Sequence, residues 1–115
     1  MELEVIIMLM ADCARCQGLC CVALAFDRGE SFSFDKRSNE PCRHLLPTNH
    51  CAVHESLAQR GLGGCARYEC HGAGQRVCEE LFAGHCWRDD PELASAMFAA
   101  FRRLRDVHEL LVLLH

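Results

Sequence analysis

The sequence predicts a single α+β domain, rich in helix, that spans residues 1–115. A chain of this length allows one domain with a modest core, because small domains bury a limited share of their surface. The C-terminal quarter has the three- and four-residue apolar repeat of a helix, and a short earlier segment alternates like a strand. Ten residues are cysteine, which indicates that the small core has additional support.

The first half is predicted to contain short elements. Residues 4–10 fit either a short strand or the end of a helix. Residues 22–26 form an apolar run and residues 31–34 alternate between polar and apolar, with a turn at 27–30. These features predict a short β-hairpin, followed by a polar loop.

The middle of the chain is predicted to hold two short helices. Residues 52–60 are compatible with a helix, and Gly61 suits the left-handed position that ends one. The glycine-rich segment 61–64 is predicted to be irregular. Gly72 and Gly74 mark another break, before a short helix over 75–82.

The last element is predicted to be a long amphipathic helix over residues 90–114. Asp90 is a good N-cap, and Pro91 suits the first helical position. Apolar residues then recur on one face, at Leu93, Met97, Ala100, Phe101, Leu104, Val107, Leu111 and Leu114. We expect this face to pack on the rest of the domain, and a homodimer or a partner protein could use the remainder of it.

The charge of the chain bears on its partners. The formal net charge is −4, and the Lys and Arg residues are scattered, so the basic patch of a nucleic-acid-binding protein is absent. No apolar run is long enough to span a bilayer. We therefore expect neither nucleic acid nor a membrane as a partner.

Ten cysteines in 115 residues would suit a disulfide scaffold in a secreted chain. Residues 1–10, however, place acidic residues before a short apolar run, where a signal peptide has basic ones. We therefore expect a cytoplasmic protein with reduced thiols. Clustered cysteines in that compartment are more often metal ligands than disulfides.

Four thiols within nine residues open a predicted metal-site region over residues 13–86: Cys13, Cys16, Cys20 and Cys21. So dense a cluster indicates a metal site, a disulfide framework or a redox pair, and reduced thiols favour the metal site. Cys20 and Cys21 are adjacent, and neighbours in an extended segment point to opposite sides. They therefore serve two centres, or one binds metal and the other packs or bridges.

Further candidate ligands follow at Cys42, Cys51, Cys65 and Cys70. His54 would share a helical face with Cys51 and could bind the metal, orient a ligand or lie on the surface. Cys86 is a further candidate, whereas Cys78 is expected to be a small buried hydrophobe.

Eight cysteines occur in a series of short motifs: Cys13, Cys16, Cys20-Cys21, Pro41-Cys42, Cys51-Ala52-Val53-His54, Cys65 and Cys70. In order and approximate spacing they resemble the YkgJ-type zinc/iron-chelating cysteine-cluster proteins. The motifs Gly72-Ala73-Gly74-Gln75, Trp87 and His108-Glu109-Leu110-Leu111 resemble more closely a domain at the N-terminus of bacterial pentapeptide-repeat proteins. Cys78 and Cys86 lie outside the pattern, and the chain has no repeat region.

The resemblance implies a metal or iron–sulfur module, and a related cluster in flagellin lysine methylases is associated with an iron–sulfur centre. Thiolates suit both zinc and iron–sulfur, and the spacing departs from that of a zinc ribbon. We therefore expect an iron–sulfur cluster or zinc, with a slight preference for iron–sulfur. The alternatives are a redox or group-transfer enzyme with an open metal centre, and a protein that handles a soft metal such as copper or zinc.

Overall fold

The computed structural model describes residues 2–114, and within them helices and helical turns dominate. The α-helices are α1 (Glu2–Met8), α2 (Leu19–Ala23), α3 (Gly63–Arg67), α4 (Ala73–Arg76) and α5 (Pro91–Leu114). Short 3-10 turns lie at Cys13–Arg15, His54–Ser56, Ala58–Arg60 and Trp87–Asp89, and a π-helical turn, Val77–Leu81, continues α4. The helix-rich class predicted from the sequence is confirmed.

The predicted hairpin is not confirmed. Residues 22 and 23 belong to α2, and residues 31–34 form bends. Phe26 and Lys36 make a single antiparallel bridge, with backbone N–O distances of 3.0 and 2.9 Å. The apolar run at 22–26 is therefore split between a helix that enters the core and a short bridge. Apolar runs of this length do not distinguish a strand from a buried helical turn.

The elements of the middle region differ in detail from the prediction. Two 3-10 turns replace the helix over 52–60, and Gly61 ends the second of them in the left-handed conformation, at φ +74°. Segment 61–64 is not wholly irregular, because α3 begins at Gly63. The predicted helix over 75–82 corresponds to α4 with its π-helical continuation.

A larger core joins α2, α4 and α5. Its fully buried side chains include Leu19, Val22, Val77, Met97 and Phe101. His108 is also fully buried, where its Nδ1 donates to the His71 carbonyl at 2.6 Å and Arg76 contacts its Nε2 at 3.2 Å. His108 therefore packs between α5 and the loop before α4.

A smaller core lies beneath the 3-10 turns and α3. Only Val53, Leu57 and Leu62 are buried in it, and Phe32, Phe34, Cys51 and Cys65 pack against them. A Cβ on Gly64 would overlap the Phe32 ring, so α3 approaches that ring closely because of this glycine.

Helix α5 begins as predicted, with the Asp90 carboxylate accepting from the Glu92 N–H at 2.9 Å. The apolar stripe is buried only over its first half, where Met97 and Phe101 enter the larger core. Val107 is 47% exposed and Leu114 is 79% exposed. Part of the stripe is therefore left uncovered. Within residues 2–114, no helix has the length and apolar character needed to cross a membrane.

Candidate metal centre

The opening cysteine loop is built by a 3-10 turn and α2. Asp12 caps the turn, accepting from the Ala14 N–H at 3.1 Å. Gly18 then takes φ +70° and starts α2, and a Cβ there would lie 2.8 Å from the Asn49 carbonyl oxygen. The glycine thus permits both the bend and the approach of the Asn49 loop.

Cys20 and Cys21 lie in α2, so the extended geometry assumed for this adjacent pair is wrong. Successive helical side chains diverge by about 100°, yet these two sulfurs are only 3.9 Å apart. The Cys20 thiol hydrogen-bonds to Cys21, which raises the pKa of Cys20 and lowers that of Cys21. The two thiols therefore form a close pair at the junction of the cluster.

Cys16 has the environment of a thiolate. The pKa of Cys16 is lowered to about 7, chiefly by a hydrogen bond from the Cys78 thiol and further by backbone N–H groups of Leu19, Gly18 and Gln17. A Cβ on Gly74 would lie 2.6 Å from the Cys16 sulfur, so this glycine permits the close approach of α4.

Cys13 and Cys70 lie beside this loop. Cys13 is exposed as a residue, but the neighbouring atoms partly shield its thiol from water, and this desolvation, followed by the charges of Cys16 and Cys70, raises its pKa. Cys70 packs against the larger core, as do Cys16 and Cys20.

Cys42 and Cys51 lie in the loops that follow α2, and Cys65 lies in α3. The Cys42 N–H donates to the Cys21 carbonyl at 2.8 Å, and Leu45 makes an antiparallel bridge with Cys51. Burial raises the pKa of Cys65 to about 11, and the charges of Cys21, Cys42 and Cys51 add to the increase.

Sequence reasoning missed Lys36, which is 9% exposed and buried beside the thiols. Its Nζ donates to the carbonyl oxygens of Val22, Leu24 and Arg37, so it holds the C-terminal end of α2. Burial lowers the pKa of Lys36, whereas the charges of Cys42 and Cys21 act in the opposite direction. In the sequence, nothing distinguished Lys36 from any other lysine in a polar loop.

Two glutamines that position the loops were also missed. Gln17 accepts from the Trp87 indole N–H through its backbone carbonyl, at 2.9 Å, and its side chain donates to the His85 carbonyl at 2.7 Å. Gln75, buried in α4, donates to the Met10 carbonyl at 2.7 Å. In the sequence, the available signal was that Gln17 lies within the opening cysteine motif and that Gln75 ends the motif Gly72-Ala73-Gly74-Gln75.

The other candidates are placed differently from the eight cysteines. His54 is exposed on a 3-10 turn. Cys86 is half-buried against the larger core. Cys78 is 2% exposed, as expected of a small buried hydrophobe, but it also contacts Cys16 and accepts from the Gln17 N–H at 3.3 Å.

The residues present fit a metal held by thiolates in number and donor type, because all ten cysteines are free thiols. Across residues 2–114, no three Cys, His, Asp or Glu side chains converge closely enough to define an ion position. Thiolate sites commonly order as the ion binds, because the ion offsets repulsion between the sulfurs.

Comparison with known proteins gives one relative. The chain is 45% identical over 107 residues, or 93% of its length, to the uncharacterized protein YybG of Bacillus subtilis (strain 168). The chain spans 38% of the length of that relative. No family model matches the chain. No solved structure matches it either.

Proposed function

We propose that this chain is a metal-binding protein that holds an iron–sulfur cluster or zinc through eight thiolates, those of Cys13, Cys16, Cys20, Cys21, Cys42, Cys51, Cys65 and Cys70. The resemblance to the YkgJ-type cysteine-cluster proteins supports this ligand set. His54 and Cys86 are secondary candidates, because one is exposed and the other faces the core.

The clustering of free thiols carries the proposal. All ten cysteines are free, four of them lie within nine residues from Cys13 to Cys21, and the sulfurs of Cys20 and Cys21 are 3.9 Å apart. Helix α4 also approaches the Cys16 sulfur closely at Gly74. The lowered pKa of Cys16, about 7, agrees with this proposal, because the thiolate is the form that binds metal.

Iron–sulfur is the favoured centre. The cysteine spacing departs from that of a zinc ribbon, and the related cluster of the methylases is associated with iron and sulfide. Backbone N–H groups near a sulfur also tune iron–sulfur clusters. The metal would stabilise the domain directly, since binding free energy at such sites is also folding free energy.

The test is isolation of the protein without oxygen, followed by analysis of iron, zinc and acid-labile sulfide. An iron–sulfur protein would be brown and would lose its colour in air, whereas zinc, with a filled d shell, would give a colourless protein. Zinc without sulfide would reject the preference for iron–sulfur and keep the ligand set. A chain without metal under these conditions, and unable to take it up, would reject the proposed function.

The exposure of Cys13 favours a second candidate function, the handling of a soft metal such as copper(I) or zinc. A molecule that delivers the metal ion or takes it away can reach a ligand that lies at the surface. Rapid transfer of copper(I) to a competing thiolate chelator, slowed by Cys13→Ser, would support this candidate. An enzyme with an open coordination position would instead keep its metal and bind an added ligand to it.

Localisation and partners follow from the same proposal. A cluster of free thiols suits a reducing compartment, and we propose the cytoplasm. The uncovered end of α5, where Leu113 is 76% exposed, is the proposed surface for a second copy or a partner protein. Sedimentation of the protein over a range of concentrations tests for the homodimer.

A further inference from the structure

We propose that the eight thiolates are divided between two separate centres, which meet at the adjacent residues Cys20 and Cys21. The first thiol group is Cys13, Cys16, Cys20 and Cys70, and the second thiol group is Cys21, Cys42, Cys51 and Cys65. This inference rests on the proposed function and adds the number of centres and the ligands of each.

The first thiol group is assembled on the larger core. Cys16, Cys20 and Cys70 all pack against it. Cys13 joins them through the 3-10 turn that it shares with Cys16, whose N–H donates to the Cys13 carbonyl at 3.3 Å. Helix α4 closes this side, because the Cα of Gly74 lies against the Cys16 sulfur. The group is therefore held by α2, α4 and the opening loop.

The second thiol group is assembled on the smaller core. Cys51 and Cys65 pack against Val53, Leu57 and Leu62. Cys42 is joined to Cys51 through the Leu45–Cys51 bridge and the neighbouring hydrogen bond from Ala52 N–H to the His44 carbonyl, at 2.8 Å. These loops therefore form a unit that contains none of the first group.

Helix α2 connects the two units. Cys20 packs against the larger core, whereas the carbonyl of Cys21 accepts the N–H of Cys42. The charge of Cys21 acts on Cys51 and Cys65 and also on Cys13, and the charge of Cys16 acts on both Cys20 and Cys21. The adjacent pair therefore lies between the two groups, and the division rests on the packing and the hydrogen bonds.

A division into four and four also matches coordination chemistry. Four thiolates complete a tetrahedral zinc site or the cysteine ligation of an iron–sulfur cluster. Eight thiolates on one ion are not possible at these coordination numbers. The remaining alternative is one multinuclear cluster, in which some thiolates bridge two metals.

The experiment uses the full chain with metal removed, reloaded anaerobically with cadmium-113 and observed by NMR. Two separate centres give two resonances in the four-sulfur region, without cadmium–cadmium coupling. Cys20→Ser and Cys70→Ser should both perturb the resonance of the first thiol group. Cys21→Ser and Cys65→Ser should both perturb the resonance of the second thiol group. Ser38→Ala, at an exposed position outside both groups, is the control and should keep both resonances.

Cadmium–cadmium coupling in the wild-type chain would overturn the division, because it requires a bridging sulfur. Loss of both resonances in every ligand variant would also overturn it. The number of resonances and the coupling between them are read on the wild-type chain, so these two tests remain valid even if a variant does not fold. Absence of any four-sulfur resonance would instead contradict the proposed function, so the two failures are distinguishable. In protein isolated with its natural metal, each ligand variant should retain about half of the wild-type content.

Discussion

The two thiol groups lie on very different supports. The first group rests on a core that joins three α-helices and includes Phe101, Met97 and Leu19, all fully buried. The second group rests on three buried side chains, two 3-10 turns and one short helix. Short 3-10 turns contribute little stability of their own. Under the proposed function, the second region would therefore gain more of its order from bound metal than the first.

Removal of metal should have the largest effect, and the loss of order should be greater in the second region than in the first. Structural zinc sites contribute about 10–16 kcal/mol of apparent folding free energy in small domains. We expect anaerobic chelation to abolish amide-exchange protection over residues 42–67, whereas residues 93–104 of α5 keep most of theirs. Hydrogen exchange read by mass spectrometry is the measurement. Equal loss in both regions, or no loss in either, would contradict the comparison.

The next largest difference between the two regions should come from truncating a buried side chain in each core. Phe101→Ala should lower the free energy of unfolding of the whole domain by about 3–5 kcal/mol, because it leaves a cavity in the larger core. Leu62→Ala should lower stability by about 2–5 kcal/mol. This loss should appear chiefly as a lower free energy of local opening in the second region. Leu3→Ala, at a position in α1 that is 68% exposed, is the control and should change the free energy of unfolding by no more than about 0.5 kcal/mol. Denaturant titration gives the global values, and hydrogen exchange gives the local one.

Lys36 should have an intermediate effect that falls on the second group. Lys36→Met leaves the Val22, Leu24 and Arg37 carbonyls without their donor, and an unsatisfied buried group costs about 1–3 kcal/mol. It also removes the cation that faces Cys21 and Cys42. We expect weaker metal binding at the second group and unchanged binding at the first. Lys36→Arg, which keeps the charge, should recover part of the affinity; equal weakening at both groups would reject this role.

The ion pair between Arg15 and Glu79 should matter least. It joins the opening loop to the π-helical turn, but its side chains are 50% and 42% exposed. Exposed pairs are screened by water and salt and are opposed by side-chain entropy. Arg15→Gln should leave the melting temperature and the metal content unchanged. A clear loss of metal would show that this pair positions Cys13 and Cys16.

The sequence predicted the parts that depend on local chemistry. Asp90 and Pro91 mark the start of α5, and Gly61 ends a helical turn, because capping preferences are set within a few residues. The apolar run at 22–26 was wrongly predicted as a strand, because its choice of structure depends on burial against α5. Similarly, the apolar stripe of α5 is buried only over its first half, which the sequence pattern alone could not reveal.

The candidate site was predictable in composition but not in arrangement. The clustered cysteines were evident, yet the helical placement of Cys20 and Cys21 depends on the left-handed Gly18. Lys36 and Cys78 gained their roles from contacts across more than ten residues of chain, with Val22 and Gln17. The spacing of residues along the sequence does not predict such long-range contacts.

Anaerobic titration of the metal-free chain with cobalt(II) tests most directly whether these thiols bind metal. Thiolate ligands would give intense charge-transfer absorption, and tetrahedral sites would give strong d–d bands. The account predicts that both signals rise together and saturate at two cobalt ions per chain, since each ion takes four thiolates. Saturation at a single ion, or a spectrum without thiolate charge transfer, would contradict it.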